Sequence, residues 1–208
     1  MIIAGQVREA IGRGEFAPGA QLYESHLAEQ LGVSRGPLRE GLQRLTQEGL
    51  LVAIRHRGLF VVELTPANVR DMYLAREAVE RCAVVVITDR SPVPSADALE
   101  PVLAQMQRAA ERGDAREIGE CDIAFHEVLV AQSGSERLVR LHATQVVEAR
   151  ICIQSLGSTS EDEMARVREH RAIAAAIRAG DGDLAVELLQ RHMADAVDEL
   201  LQLAPHPD

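Results

Sequence analysis

Between Leu27 and Val62 the spacing of apolar residues changes twice, and the changes mark out two short helices and a hairpin. Leu27, Ala28 and Leu31 make one stripe of a short helix, and Gly32 supplies a residue that tolerates the left-handed geometry ending it. Val33 can plug the angle between two helices, Ser34 is a natural N-cap, and Pro37 falls in the first turn of a second helix starting near Arg35. On that helix Leu38, Leu42 and Leu45 follow i, i+4, i+7 and face inward, while Arg35 and Arg39, four apart, share the neighbouring face. After Gly49 the pattern becomes that of strands: β-prone runs at 50–54 and 59–62 are joined by Arg55, His56, Arg57 and Gly58, a hairpin with a cationic tip. Helix, turn, helix and basic hairpin in this order predict a winged helix-turn-helix. Its two arginines project where a recognition helix enters the major groove, and a guanidinium fork suits either guanine O6 and N7 or a phosphate.

Around this segment the pattern is helical. A helix is predicted over 2–13, then a turn over 14–20 carrying Pro18 and Gly19, and the small domain closes near Leu64. Thr65 and Pro66 form a helix start, as N-cap and first helical position. No strand signal follows. Helices are predicted over 66–90, 95–112, 114–132, 136–156, 162–180 and 182–203, with breaks at 91–94, Gly113, 133–135, 157–160 and 180–182 and a frayed end, APHPD. There is no internal repeat and no low-complexity tract. The fold class is therefore mainly α, with a winged helix-turn-helix domain over 1–64 and an all-helical bundle of about six helices over 65–208.

Composition sharpens this picture. An apolar content of 47% with only 2% aromatics makes the core one of Ala, Leu, Val and Ile, which suits close helix packing. Cys82, Cys121 and Cys152 are far apart and in no recognisable motif, so they are expected to be small buried hydrophobes and not a disulfide framework. No apolar run approaches the roughly 20 residues that span a bilayer, and the start, MIIAGQVREA, lacks the basic n-region of a leader. A cytoplasmic location without membrane contact is expected. The net charge of −10 argues against nucleic acid if spread evenly, yet residues 1–64 carry seven Arg and seven acids, so the whole excess lies in residues 65–208. Within 31–62 five Arg face two acids. DNA binding by one such module is expected to be modest and salt-sensitive, and to need a second copy.

A second chemical signal lies in the helical region. Asp122 and His126 are four apart, on one helix face, and His170 and His192 stand on the last two helices. If the three helices line a common interior, one carboxylate and three imidazoles converge as ligands for a divalent ion. Spacing leaves that convergence open.

The first 64 residues resemble the winged helix-turn-helix domain of GntR-type transcriptional regulators, through LAEQLGVSRGPLREGLQRLTQEGLL followed by RHRGLFV. The remainder resembles the FCD effector domain of the FadR-like branch, through LAREAVE, CDIAFHEVL, EHRAIAAAIRAGD and AVELLQRHM. The resemblance implies DNA contacts from Ser34, Arg35, Gly36, Pro37, Arg39 and Arg44, and from Arg55, His56, Arg57 and Gly58 in the wing. It implies a metal held by Asp122, His126, His170 and His192, zinc first, with nickel or manganese as alternatives. It also implies a small carboxylate effector, an organic or sugar acid, contacted by Arg76 and less directly by Arg150. The residues themselves give Arg76 a second reading, a surface ion pair with Glu80 at i+4. His142 is expected to be partly exposed or to stand behind a metal ligand. Three positions depart from the family pattern: Gly36 replaces a frequent Thr, Ser135 replaces an Asn at the turn after the metal helix, and Tyr23 replaces a Ser, moving the expected cap to Ser25 or Glu24.

The implied function is that of a homodimeric regulator, a repressor in preference to an activator, binding a pseudo-palindromic double-stranded operator under effector control. Two rivals are a regulator for which the ion itself is the signal, and a metal-dependent hydrolase. Against an enzyme, His126-Glu127 lacks the second His of His-Glu-x-x-His, with Val130 in its place, and no Glu-x-x-His pair of the di-iron type occurs.

Overall fold

The computed structural model describes residues 2–90, 96–156 and 163–203. The sequence-predicted breaks at 91–94 and 157–160, and the frayed end, lie outside the described residues. The chain runs α1 (Ile2–Gly12), β1 (Gln21–Leu22), α2 (Glu24–Leu31), α3 (Arg35–Gln47), β2 (Leu51–Ile54), β3 (Gly58–Val61), α4 (Pro66–Thr88), a 3-10 turn (Ala96–Leu99), α5 (Glu100–Glu111), α6 (Ala115–Gln132), α7 (Glu136–Leu156), α8 (Glu163–Ala179) and α9 (Gly182–Leu203). The predicted helix over 95–112 is thus a 3-10 turn followed by α5, because Pro101 in the first turn has no N–H to continue the ladder backwards.

In the N-terminal half, Ala4, Val7 and Ile11 of α1 pack with Leu27 of α2 and Leu38, Leu42 and Leu45 of α3 in one core. α1 meets α3 at Gly41, where a Cβ would stand 3.2 Å from the Ala4 backbone nitrogen and 3.1 Å from Ile3 Cγ2. Gly32 ends α2 in the left-handed region, at φ 63°, as the sequence predicts. Ser34 occupies the N-cap of α3 without a side-chain bond, and Tyr23, not Ser25 or Glu24, is the N-cap of α2, also without one. The sheet has order β1-β3-β2, all antiparallel. β1, two residues long, is absent from the sequence reading. It positions Gln21, whose amide nitrogen donates to the Arg57 carbonyl at 2.6 Å and so braces the wing tip.

The C-terminal half is a helical bundle. Thr65 caps α4 by accepting from the Asn68 N–H, and Asp114 caps α6 by accepting from that of Glu117. Ser135 caps α7 through a bond from the Leu138 N–H, so the family's Asn is replaced by a residue of the same competence. Cys121 and Cys152 are buried as expected, whereas Cys82 is exposed: it falls on the solvent side of α4. α7 has two working faces. Val146, Ala149 and Cys152 enter the bundle core, while Val147 and Ile151 join the core of the N-terminal half.

Candidate metal centre and DNA-reading face

Three helices bring the four metal candidates together in the bundle interior. Asp122 and His126 come from α6, His170 from α8 and His192 from α9, and one ligand atom from each lies within 4.8 Å of all the others. All four are buried, with His126 and His170 fully so. His126 Nε2 is 3.2 Å from His192 Nε2, and His170 Nε2 is 3.2 Å from Asp122 Oδ1.

The outward nitrogens decide which proton form these rings take. His126 Nδ1 meets Glu80 Oε2 at 2.5 Å, His170 Nδ1 meets the Arg166 carbonyl at 2.8 Å, and His192 Nδ1 meets Glu169 Oε2 at 3.1 Å. Each Nδ1 faces an acceptor and must carry the proton, which leaves three Nε2 lone pairs and a carboxylate pointing at one another. Burial favours the neutral form of two of the rings: His126 is pushed down to about 3, and His192 is also lowered. Burial alone would raise Asp122, but the neighbouring rings of His170, His126 and His192 hold it well below the usual carboxylate range. His170 Nε2 has no hydrogen-bond partner. Four electron-rich donors facing one another without protons repel unless a cation sits among them, so the residues present fit a divalent ion.

Behind the ligands is a polar layer that the sequence reading largely missed. Arg76 is not on the surface: it is buried, donates from Nε to Glu80 Oε1 at 2.7 Å, and turns Nη2 towards Asp122 Oδ2 at 3.8 Å without a hydrogen-bond partner. Of its two sequence readings, the ion pair with Glu80 is present, but inside the bundle. Glu80 is the hub, receiving Arg76, His126 and, at 2.9 Å, His142 Nε2. Those bonds overcome the effect of burial and hold its carboxyl well below the usual range. His142 is buried, so its reading as partly exposed is corrected; the one signal available was its place on the helix facing the bundle. Glu80 was legible only as the i+4 partner of Arg76, and Glu169 only as the neighbour of His170.

Arg150 stands elsewhere. Its guanidinium is 3.2 Å from Glu120 and its stem lies against Gly12, at the seam with α1, so it is not brought to the metal cluster. Two small cavities adjoin the cluster. One, of about 30 Å³, reaches Asp122 between Tyr73 and Arg166, and the other, of about 80 Å³, reaches His192 between Arg166 and Glu169.

On the N-terminal half, Ser34, Arg35, Gly36, Pro37 and Arg39 are exposed, as are Arg55, His56, Arg57 and Gly58. Arg35, Arg39 and Gly58 line one groove of about 440 Å³ between the start of α3 and the wing. The Arg39 guanidinium pairs with Glu24 at 2.7 Å, and Arg57 lies 5.4 Å from the centre of the Phe60 ring. His56 takes the left-handed conformation, φ 62°, that turns the three-residue tip. Arg44 lies further along α3, bonded to Glu48 at 2.9 Å, and does not line the groove.

Comparison with known proteins agrees with both halves. Residues 2–61 match the model for bacterial regulatory proteins of the gntR family, and residues 71–195 match the FCD domain. The chain is 31% identical to the HTH-type transcriptional regulator YdhC of Bacillus subtilis over 81% of this chain and 75% of that protein. It is 30% identical to the HTH-type transcriptional repressor RspR of Escherichia coli over 90% of this chain and 82% of that one. Among solved structures, a GntR regulator from Rhodococcus sp. RHA1 superposes with a TM-score of 0.79 at 27% identity, covering 98% of this chain and 97% of its own. These relatives are regulators of transcription, and no described helix is long and apolar enough to cross a membrane. The chain belongs to the GntR family of bacterial transcriptional regulators, in the branch that carries an FCD domain.

Proposed function

We propose that this regulator is a cytoplasmic, homodimeric repressor whose affinity for a pseudo-palindromic operator is set by a small carboxylate held at a metal centre of Asp122, His126, His170 and His192. The observation that carries the reading is the meeting of three Nε2 atoms and Asp122 with every Nδ1 already engaged. A bound divalent ion, zinc by preference for this His₃-carboxylate set, would supply an open position for a carboxylate oxygen. Arg76 would hold that carboxylate's other oxygen, since Nη2 is the buried donor with no partner. Glu80 keeps His126 in the ligand tautomer, and Arg76 in place.

On the output side, Arg35 and Arg39 would enter the major groove, with Arg55, His56, Arg57 and Gly58 against the backbone or minor groove and Ser34, Gly36 and Pro37 at the helix start. Arg39 must exchange Glu24 for DNA. The repressor sign follows the relative RspR. To release DNA, the carboxylate must bind the released arrangement of the two wing domains more tightly than the DNA-bound one. Complete burial of His126 and His170 favours a retained ion over one that exchanges as the signal.

The test is metal analysis of the full-length protein. About one divalent ion per chain is expected, lost in His170→Ala and Asp122→Ala; metal-free wild type after growth and dialysis with zinc would contradict the reading.

A further inference from the structure

The two cavities beside the cluster share one wall, the salt bridge from Arg166 Nη2 of α8 to Glu199 Oε2 of α9, at 2.5 Å. One cavity reaches Asp122 and the other His192, so this pair separates two approaches to the same centre. Its position is fixed by the ligands themselves. Arg166 stands one turn before His170, whose Nδ1 bonds to the Arg166 carbonyl, and Glu199 stands seven residues after His192, on the same face of α9. Both side chains are largely buried, at 17% and 25% exposure, yet they lie at the solvent end of the site, whereas Arg76 is at its closed end.

We propose that Arg166 is the specificity-determining residue of this site: it exchanges Glu199 for the second carboxylate of a short dicarboxylic acid whose first carboxylate lies at the metal centre. This rests on the carboxylate-effector reading given above. Charge and size both point this way. A divalent ion with Asp122 leaves one positive charge for a first carboxylate, while Arg76 is already matched by Glu80. A second anionic group therefore needs its own cation, and Arg166 is the guanidinium bordering both cavities. Its planar fork pairs with a ligand carboxylate as it does with Glu199. Cavities of about 30 and 80 Å³ are far below the roughly 300–1,000 Å³ of a drug-sized site, which selects acids of about three or four carbons. Moving the Arg166–Glu199 wall joins them into one.

The experiment is calorimetric titration of zinc-loaded, full-length protein with succinate and with butyrate, which share a four-carbon chain and differ in the second carboxylate, with acetate as the minimal acid. Succinate is expected to bind at least tenfold more tightly than butyrate. Arg166→Gln should abolish that difference, and Glu199→Gln, which removes the competing carboxylate, should strengthen succinate binding several-fold. A purely structural salt bridge would instead make both variants lose stability without changing discrimination. Equal affinity for succinate and butyrate in the wild type, or a preference that survives Arg166→Gln, overturns the proposal while the carboxylate reading stands. If none of the three acids binds to zinc-loaded protein, the carboxylate reading itself fails, and this inference with it.

Discussion

Glu148 illustrates how one half-buried side chain can make this molecule sensitive to pH. It lies on α7 beside Gly49 of the N-terminal half, and burial together with the like charge of Asp71 pushes its carboxyl up to about 7 from 4.5. The fold therefore holds this proton more tightly than the unfolded chain does. The stability it contributes is fully present below about pH 4.5 and is lost as pH rises through about 7. Glu148→Gln should then gain about 1–2 kcal/mol over wild type near pH 8, with the advantage vanishing below about pH 4.5; denaturant unfolding at the two pH values checks it. The residues of the DNA face carry a different expectation. Arg35 and Arg39 are exposed at one end of α3 and reach no core residue, so replacing either by Ala should leave stability unchanged and cost about 1–3 kcal/mol of operator binding if it contacts a base. Arg44, held by Glu48 away from the groove, should cost less.

At the scale of elements, the crossing of α1 over α3 at Gly41 is a close backbone approach. Adding a methyl there presses it against the Ile3 side chain and the Ala4 backbone nitrogen, and since backbone cannot rotate aside the two helices must part slightly; Gly41→Ala should destabilise the protein by about 1–3 kcal/mol, read as a lowered thermal midpoint. Most elements were legible in the sequence because their signals are local: Gly32 ends a helix, Thr65 caps one, Gly113 separates two, and Leu38, Leu42 and Leu45 repeat with the helical period. What escaped was long-range. β1 is two residues and takes its meaning from pairing with β3 some 40 positions away, and Gly41 matters only because α1 passes over it. The ligand candidates could be named, since Asp122 and His126 share a face, but their meeting with His170 and His192 depends on how α6, α8 and α9 pack. The same limit hid Glu80 and His142, whose roles come from α4 and α7 lying beside α6, and it placed Arg76 inside the bundle where spacing allowed a surface pair.

For the whole molecule, the question is how a ligand in the bundle alters a domain that reads DNA. α7 offers a direct physical link. Near its start His142 bonds to Glu80, which in turn holds His126, and further along Val147 and Ile151 pack into the core beneath α1 while Arg150 lies against Gly12. A shift of Glu80 on ligand binding would have this one helix as its path to the seam with α1. The charge distribution complements this: residues 1–64 carry seven Arg and seven acids, locally basic over 31–62, and the whole acidic excess lies in residues 65–208, so operator binding by the proposed dimer should weaken as salt rises. The most direct measurement is fluorescence anisotropy at fixed salt with a labelled duplex from the gene's own upstream region, titrated with zinc-loaded protein in the presence and absence of acetate, lactate, succinate and citrate. The expected result is sequence-preferring binding that at least one of these acids weakens tenfold or more, and that His170→Ala retains without the response to acid. Operator affinity unmoved by every one of them, or the same response in His170→Ala as in the wild type, would contradict control by a carboxylate at the metal centre.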